Sequence, residues 1–231
     1  MRVAKSTTSH TGTKRRPGPH PSLSKARIVK TAIEIADAEG LDAVSMQRLG
    51  DAFGFTPMSL YRYVRNKAEV VEAMIEVSLG VPPRQQGNRD WRLQLQSWAR
   101  RVFACFHRHP WTVAATSRVR PMGPNELAWL DRALHALAAA GLTPAEQHGA
   151  FLALIGHVRS VAQFAVSAPG AQPGISLAQW RTSAKSGASA RLPALHAALD
   201  AGAFTPRTGG VESGLRIVLA GIAAIGERRQ A

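Results

Sequence analysis

The apolar residues of this chain recur at helical spacings, and no stretch alternates as a half-buried strand would. From about Ser24 to Glu39, Ile28, Ala32 and Ile35 keep that spacing, and Gly40 supplies a stop. Ser45 reads as the N-cap of a short helix in which Met46, Leu49 and Phe53 share a face, ended by a tight turn at Gly54-Phe55. Thr56-Pro57 opens another short helix, Thr as N-cap and Pro at the first helical position, where its missing N–H costs nothing. Asn66-Lys67-Ala68-Glu69 resembles a capping box for a fourth helix, with Val70, Met74 and Val77 on one side. Gly80-Val81-Pro82-Pro83 ends it and marks a domain boundary.

Six more helical stretches follow, at 90–109, 111–117, 125–140, 144–167, 191–201 and 210–229, with a Pro-, Gly- and Ser-rich flexible loop at 168–189. No internal repeat is present. Residues 1–22 carry basic residues, Pro, Gly, Ser and Thr, no acid and almost nothing apolar, so they read as a disordered basic arm with Lys14, Arg15 and Arg16. That arm adds sequence-independent DNA affinity or is a solubilising tail.

Composition sharpens the picture. Hydrophobic residues make up 45% of the 231, enough for a packed core. No apolar run approaches the roughly 20 residues that span a bilayer, and the N-terminus has no apolar centre of the secretory kind. Cys105 is the single cysteine, which excludes an intramolecular disulfide and fits a cytoplasmic setting. The net charge of +14 suggests a polyanionic partner, yet residues 1–80 carry only +4 of it and residues 81–231 carry +10. Charge alone therefore does not locate a nucleic-acid surface.

The stretch SMQRLGDAFGFTPMSLYRYV (45–64) meets the needs of a helix-turn-helix: a bracing helix, a Gly-bearing turn and an exposed second helix. Leu49, Phe53, Phe55, Leu60 and Val64 can form its small core, with Pro57, Met58, Ser59, Arg62 and Tyr63 outward. The competing reading is an ordinary helical bundle with a solvated face.

The longer run LDAVSMQRLGDAFGFTPMSLYRYVRNKAEVVEAM resembles the DNA-binding domain of tetracycline-repressor (TetR) family regulators. Its most telling part is TPMSLYRYVRNKAEVVEAM, with its Pro start, its Leu-Tyr-x-Tyr-Val run and the Asn-Lys that begins the next helix. The resemblance implies an all-α protein. Residues 23–80 would form an N-terminal three-helix DNA-binding domain with the helix-turn-helix, and residues 81–231 a C-terminal helical ligand-binding and dimerisation domain. It implies a homodimeric repressor that binds a double-stranded DNA operator and leaves it when a small, lipophilic effector enters the C-terminal domain, with no membrane partner and no cofactor.

By matching positions, the resemblance places Thr56, Pro57, Met58, Ser59 and Arg62 against bases or the groove wall. Tyr61, Tyr63, Lys67 and Ser45 fall at phosphate-contacting positions, and Gln47 at a base-contacting one. Arg62 has the fork that matches guanine O6 and N7. Tyr63 stands where the family often has His.

The C-terminal half carries no residue signature for a ligand. Trp98, Phe103, His107, Trp111, Trp129, His148, Phe151 and His157 are candidates for an apolar effector pocket, each also readable as core. His148 and His157 are nine residues apart and so lie on opposite faces of a straight helix. The arginines of 84–120 suggest an anionic effector or a solvated basic face. Val211, Leu215, Val218, Ile222 and Ile225 form a stripe for helix packing, across a dimer interface or within the subunit, and Gly214 and Gly221 permit close approach. There is no catalytic motif, and His107 and His109, two apart, point away from each other, so no metal site is expected. An enzyme and a ligand-independent architectural DNA binder remain as alternatives.

Overall fold

In a computed structural model, residues 23–84, 90–167, 192–201 and 211–230 are described. The arm at 1–22 and the loop at 168–189 lie outside them. The described residues form ten α-helices: α1 (Lys25–Glu39), α2 (Met46–Phe53), α3 (Pro57–Leu60), α4 (Lys67–Leu79), α5 (Trp91–Arg108), α6 (Trp111–Thr116), α7 (Pro124–Ala139), α8 (Pro144–Ser167), α9 (Pro193–Asp200) and α10 (Glu212–Gln230). A 3-10 turn at Leu41–Ala43 joins α1 to α2.

The helix starts obey the cap chemistry. Ser24 Oγ accepts from Arg27 N, Ser45 Oγ from Arg48 N and Asn66 Oδ1 from Glu69 N. At α8 the box closes both ways: Thr143 Oγ1 accepts from Glu146 N, and Glu146 Oε2 accepts from Thr143 N. At α4 only half of it forms. The Glu69 carboxylate turns away from Asn66 and takes Lys25 Nζ at 2.5 Å, Arg65 N at 2.7 Å and Arg65 Nε at 3.1 Å. Thr56 sits at the N-cap of α3 without a side-chain cap bond, and its hydroxyl lies 3.2 Å from that of Ser59.

Two cores result. The first holds Ile28, Val29, Ala32 and Ile35 of α1, Val44, Leu49, Leu60 and Val64 of the helix-turn-helix, and Val70, Met74 and Ile75 of α4. It also takes Trp111 and Ala115 of α6, so the first core reaches past the boundary expected at residue 80. The second core is built from α5, α7, α8 and α10. Fully burying one such Leu or Ile contributes about 1.5–3 kcal/mol, so each core can hold its helices without help from helix propensity.

Three expectations need correction here. Phe55 is 47% exposed, because the left-handed turn at Gly54 throws it outward, and Val77 is 63% exposed, because Ile75 takes the inward place on α4. The third concerns α10. Val211, Leu215 and Ile222, expected at a dimer interface, are at most 4% exposed and lie in the subunit's own second core, with Val218 packed beside them. Gly214 belongs to the same packing, since a Cβ there would collide with the His157 ring.

Candidate nucleic-acid interface and effector core

The helix-turn-helix depends on two glycines. Gly54 adopts φ 69° and ψ 29° as the C-cap of α2, a left-handed conformation that a side chain disfavours. Gly50, on the inner face of α2, lets the backbone of the turn pass close: a Cβ there would fall 2.6 Å from the Phe55 carbonyl oxygen, which itself cannot retreat. Sequence reasoning found the turn and missed Gly50, because a glycine inside a helical pattern carries no sign of what faces it.

The second helix is shorter than the sequence pattern suggests. Regular α-helix ends at Leu60, and Tyr61 to Tyr63 continue as a turn closed by Tyr63 N on the Leu60 carbonyl at 2.9 Å. Buried Leu60 and Val64 anchor this turn to the first core. Around those anchors, Met58 (74% exposed), Tyr61, Arg62, Tyr63 and Lys67 all stand in solvent, and Thr56 is exposed beside them. Pro57, Ser59 and Ser45 are half-buried. Among the described residues no carboxylate forms an ion pair with Arg62 or Lys67, whereas the neighbouring Arg48 and Arg65 are paired with Glu39 and Glu69. Gln47 is exposed, and its Nε2 donates to Asp51 Oδ1 at 2.8 Å. Thus Thr56, Met58, Tyr61, Arg62, Tyr63 and Lys67 make one exposed run, with one cationic fork and one ammonium left unpaired among the described residues.

The expected effector residues do not all come together. Trp98, Trp129 and Phe151 do: Trp98 packs edge-on to Trp129 at 6.5 Å and to Phe151 at 5.9 Å, and its Nε1 donates to the Trp129 carbonyl. Phe103 packs at the margin of the second core. Trp111 is elsewhere, in the first core, with its Nε1 donating to Asp37 Oδ1 at 2.8 Å. His107 and His148 are exposed, which removes them from an enclosed pocket. His157 Nε2 lies 2.8 Å from the Val211 carbonyl oxygen, so that ring joins α8 to the start of α10. With His148 exposed and His157 against Val211, neither histidine of α8 joins the Trp98 cluster. Of the eight candidates, Trp98, Trp129 and Phe151 come together in one aromatic cluster.

Two hydrogen-bonded junctions tie this core to the DNA-binding half. In one, the Glu76 carboxylate of α4 caps the first turn of α7, accepting from Asn125 N at 2.7 Å and Glu126 N at 3.1 Å. Asn125 Nδ2 donates back to the Glu76 carbonyl, and Trp129 Nε1 donates to the Gly80 carbonyl. A carboxylate at a helix N-terminus meets free N–H groups and the positive end of the helix dipole. In the other junction, Asp37 of α1 holds Trp111 and lies 2.9 Å from His109 Nδ1. Neither junction was legible beforehand, since both join residues more than 45 positions apart.

An exposed, cation-bearing helix-turn-helix on a compact helical base, with a second helical body clamped to it, is the architecture of a DNA-binding regulator. This chain belongs to the tetR family of bacterial regulatory proteins: the family's N-terminal model matches residues 28–74, and the model of tetracyclin repressor-like C-terminal domains matches residues 82–225. The HTH-type transcriptional repressor DrrR1 of Streptomyces coeruleorubidus is 36% identical over 155 residues, covering 65% of this chain and 57% of that protein. The chain thus aligns with little more than half the length of that relative. Apo ActR from Streptomyces coelicolor superposes with a TM-score of 0.75 at 28% identity, over 92% of this chain and 100% of that one. ActR in complex with actinorhodin gives 0.72 at 29% identity, over 89% and 99%. Among the described residues no helix is long and apolar enough to cross a membrane.

Proposed function

We propose that the protein is a homodimeric transcriptional repressor that binds a DNA operator and is released from it by a small molecule entering the C-terminal domain. The observation that carries this reading is the unspent cationic edge of the helix-turn-helix, held on a base into which the C-terminal half inserts Trp111. DrrR1 is named a repressor, and ActR has been crystallised with a bound compound, which supports extending both properties to this chain.

On this reading Thr56, Pro57, Met58, Ser59 and Arg62 meet bases or the groove wall, while Ser45, Tyr61, Tyr63 and Lys67 meet phosphates. Gln47 reaches a base after leaving Asp51, with which it now pairs. Work on DNA places the protein in the cytoplasm.

Of the stripe read in the sequence only Ile225 lies on the face that dimerisation uses. On α8, Gly149, Leu152, Ala153, Gly156 and Ser160 are exposed; on α10, Ile217, Ala220, Gly221, Ala224 and Ile225 are exposed. Neither set contains a charge. A Cβ at Gly149, Gly156 or Gly221 would meet nothing within 4 Å. Each interior helix glycine costs about 1 kcal/mol relative to alanine, and nothing inside the subunit needs these three. A second copy laid against α8 and α10 would use them for close backbone approach. Such a dimer must set its two reading edges about one DNA turn apart, roughly 34 Å, to read two half-sites together.

The test is to select bound sequences from random DNA. The expected product is a two-fold repeat with half-sites one turn apart, bound by a dimer. Recovery of no preferred sequence would leave an architectural binder as the better description.

A further inference from the structure

The two ends of α4 are held by different halves of the molecule. At its start, Asn66 caps the helix, and Glu69 takes Lys25 of α1 together with the backbone and side chain of Arg65. Along its length, Val70, Met74 and Ile75 share the first core with Leu49, Leu60 and Val64 of the helix-turn-helix. At its end the partners come from the C-terminal half. A helix leaves its last carbonyls without intrahelical partners, and here side chains of α5 and α7 supply them. Asn125 Nδ2 donates to the Glu76 carbonyl at 3.0 Å, Cys105 Sγ to the Ser78 carbonyl at 3.4 Å and Trp129 Nε1 to the Gly80 carbonyl at 2.9 Å.

The Glu76 carboxylate makes this junction reciprocal. Pro124 opens α7 and has no N–H, so the first free donors are those of Asn125 and Glu126. Each oxygen of Glu76 takes one of them, at 2.7 Å and 3.1 Å. Gly123, the N-cap of α7, has extended backbone that any residue adopts, yet a Cβ there would overlap the Glu76 carboxyl group. Its lack of a side chain is therefore explained by the junction and not by its own conformation. The obstacle is the far end of a flexible side chain, so an alanine at this position would push the carboxylate aside and leave the backbone in place.

With 13 residues, α4 is about 20 Å long, and a change of angle at its last turn is carried to the reading edge at the other end. One base pair added between two half-sites moves them about 3.4 Å apart and about 34° around the duplex. A dimer that tells one spacing from the next must hold its edges more closely than that.

We propose that Glu76 is a positioning residue: with Gly123 and Asn125 it fixes the angle between the helix-turn-helix and the C-terminal body, and so decides which half-site spacing the dimer accepts. This rests on the dimeric operator-binding reading above and adds the residue that sets operator geometry.

The experiment measures the affinity of the full-length protein for its selected operator, for versions with one base pair inserted between the half-sites or removed from between them, and for a single half-site. Wild type is expected to prefer the selected spacing by at least about tenfold. Glu76→Gln sets an amide N–H against one of the two backbone donors, and Gly123→Ala displaces the carboxylate without altering it. In both, the spacing preference should fall below about threefold, because a loosened dimer is no longer preorganised for one geometry. Their affinity for a single half-site should stay within about twofold of wild type, since no DNA contact has changed. Asn125→Ala, which removes only the return bond, should act in the same direction and less. Val102→Ala, a cavity in the second core, should lower the melting temperature and keep the spacing preference. Should Glu76→Gln not fold, Gly123→Ala and Asn125→Ala decide alone. Lower melting temperatures with the tenfold preference intact overturn the proposal, because the junction would then serve stability only. Equal losses on every DNA, the single half-site included, overturn it too. A wild-type dimer indifferent to spacing removes the proposal and leaves operator binding standing, whereas a wild type that binds every DNA as a monomer removes the dimeric reading as well.

Discussion

The helix-turn-helix edge and the α8–α10 face both put large apolar side chains into solvent, but their neighbours differ. On the edge, Met58, Tyr61 and Tyr63 stand among Arg62, Lys67 and Thr56. On the other face, Leu152, Ile217 and Ile225 stand among Gly149, Gly156, Gly221 and alanines. Cations and phenol hydroxyls suit a phosphate backbone. Glycines and alanines suit another helix at short range. Exposed apolar area marks both surfaces as contact sites, and the residues between decide the partner. The same contrast divides the glycines: Gly50 and Gly214 are filled from within the subunit, while Gly149, Gly156 and Gly221 look onto open space.

The largest effect should come from placing charge on the uncharged face. Leu152→Glu combined with Ile217→Glu is expected to leave the helical content intact and give a monomer in sedimentation. Losing the linkage between two half-sites should then lower operator affinity by about a hundredfold or more. A double variant that still sediments as a dimer would break the comparison, because the α8–α10 face would not be the interface. Next comes Arg62→Ala, which should stay dimeric, weaken operator binding by about 1–3 kcal/mol and relax preference at one base pair of each half-site. Smaller still is Lys67→Ala. It should weaken operator and random DNA alike and reduce the slope of log affinity against log salt by about one unit per subunit. If Arg62→Ala and Lys67→Ala act identically on all sequences, Arg62 reads no base.

How far the sequence disclosed these surfaces follows from the range of the interactions involved. The edge was legible because its signals are local: the Ser45 and Asn66 caps, the Gly54 turn and the Pro57 start each act within four residues. The α10 stripe was legible as a stripe, but periodicity shows that a face is apolar and not what covers it. Val211, Leu215 and Ile222 went to the subunit's own core. The face left exposed, rich in alanine and glycine, is too weakly apolar to stand out in a hydrophobicity pattern. Trp111 was misplaced for a related reason. Its destination is set by Asp37, 74 residues earlier, and no local pattern records such a pairing. The largely buried pairing of Arg120, between α6 and α7, with Glu126 of α7 near Arg159 of α8 was invisible in the same way, although the arginine excess of that region was already apparent.

The smallest expected effect concerns what keeps the reading edge in register. Glu69 binds Lys25 of α1, the Arg65 backbone and the Arg65 side chain at once, just where the chain leaves the helix-turn-helix for α4. The hydrogen bond from Lys25, then those from Arg65, hold its carboxyl well below the usual glutamate value of 4.5, at about 2. Because the folded state favours the ionised form, the contribution is fully present above pH 4.5 and is lost as pH falls towards about 2. Lys25 is half exposed and the Arg65 side chain is 84% exposed, so water and salt weaken these pairs. Glu69→Gln should therefore melt only slightly below the wild type at neutral pH. That gap should stay constant down to about pH 4.5 and close on further acidification. Operator affinity at neutral pH should fall less than in Arg62→Ala, since Glu69 faces the protein and acts on DNA only by fixing Arg65 and the start of α4. A gap that widens on acidification would show that Glu69 is not ionised in the folded protein, and the register of the edge would then need another anchor.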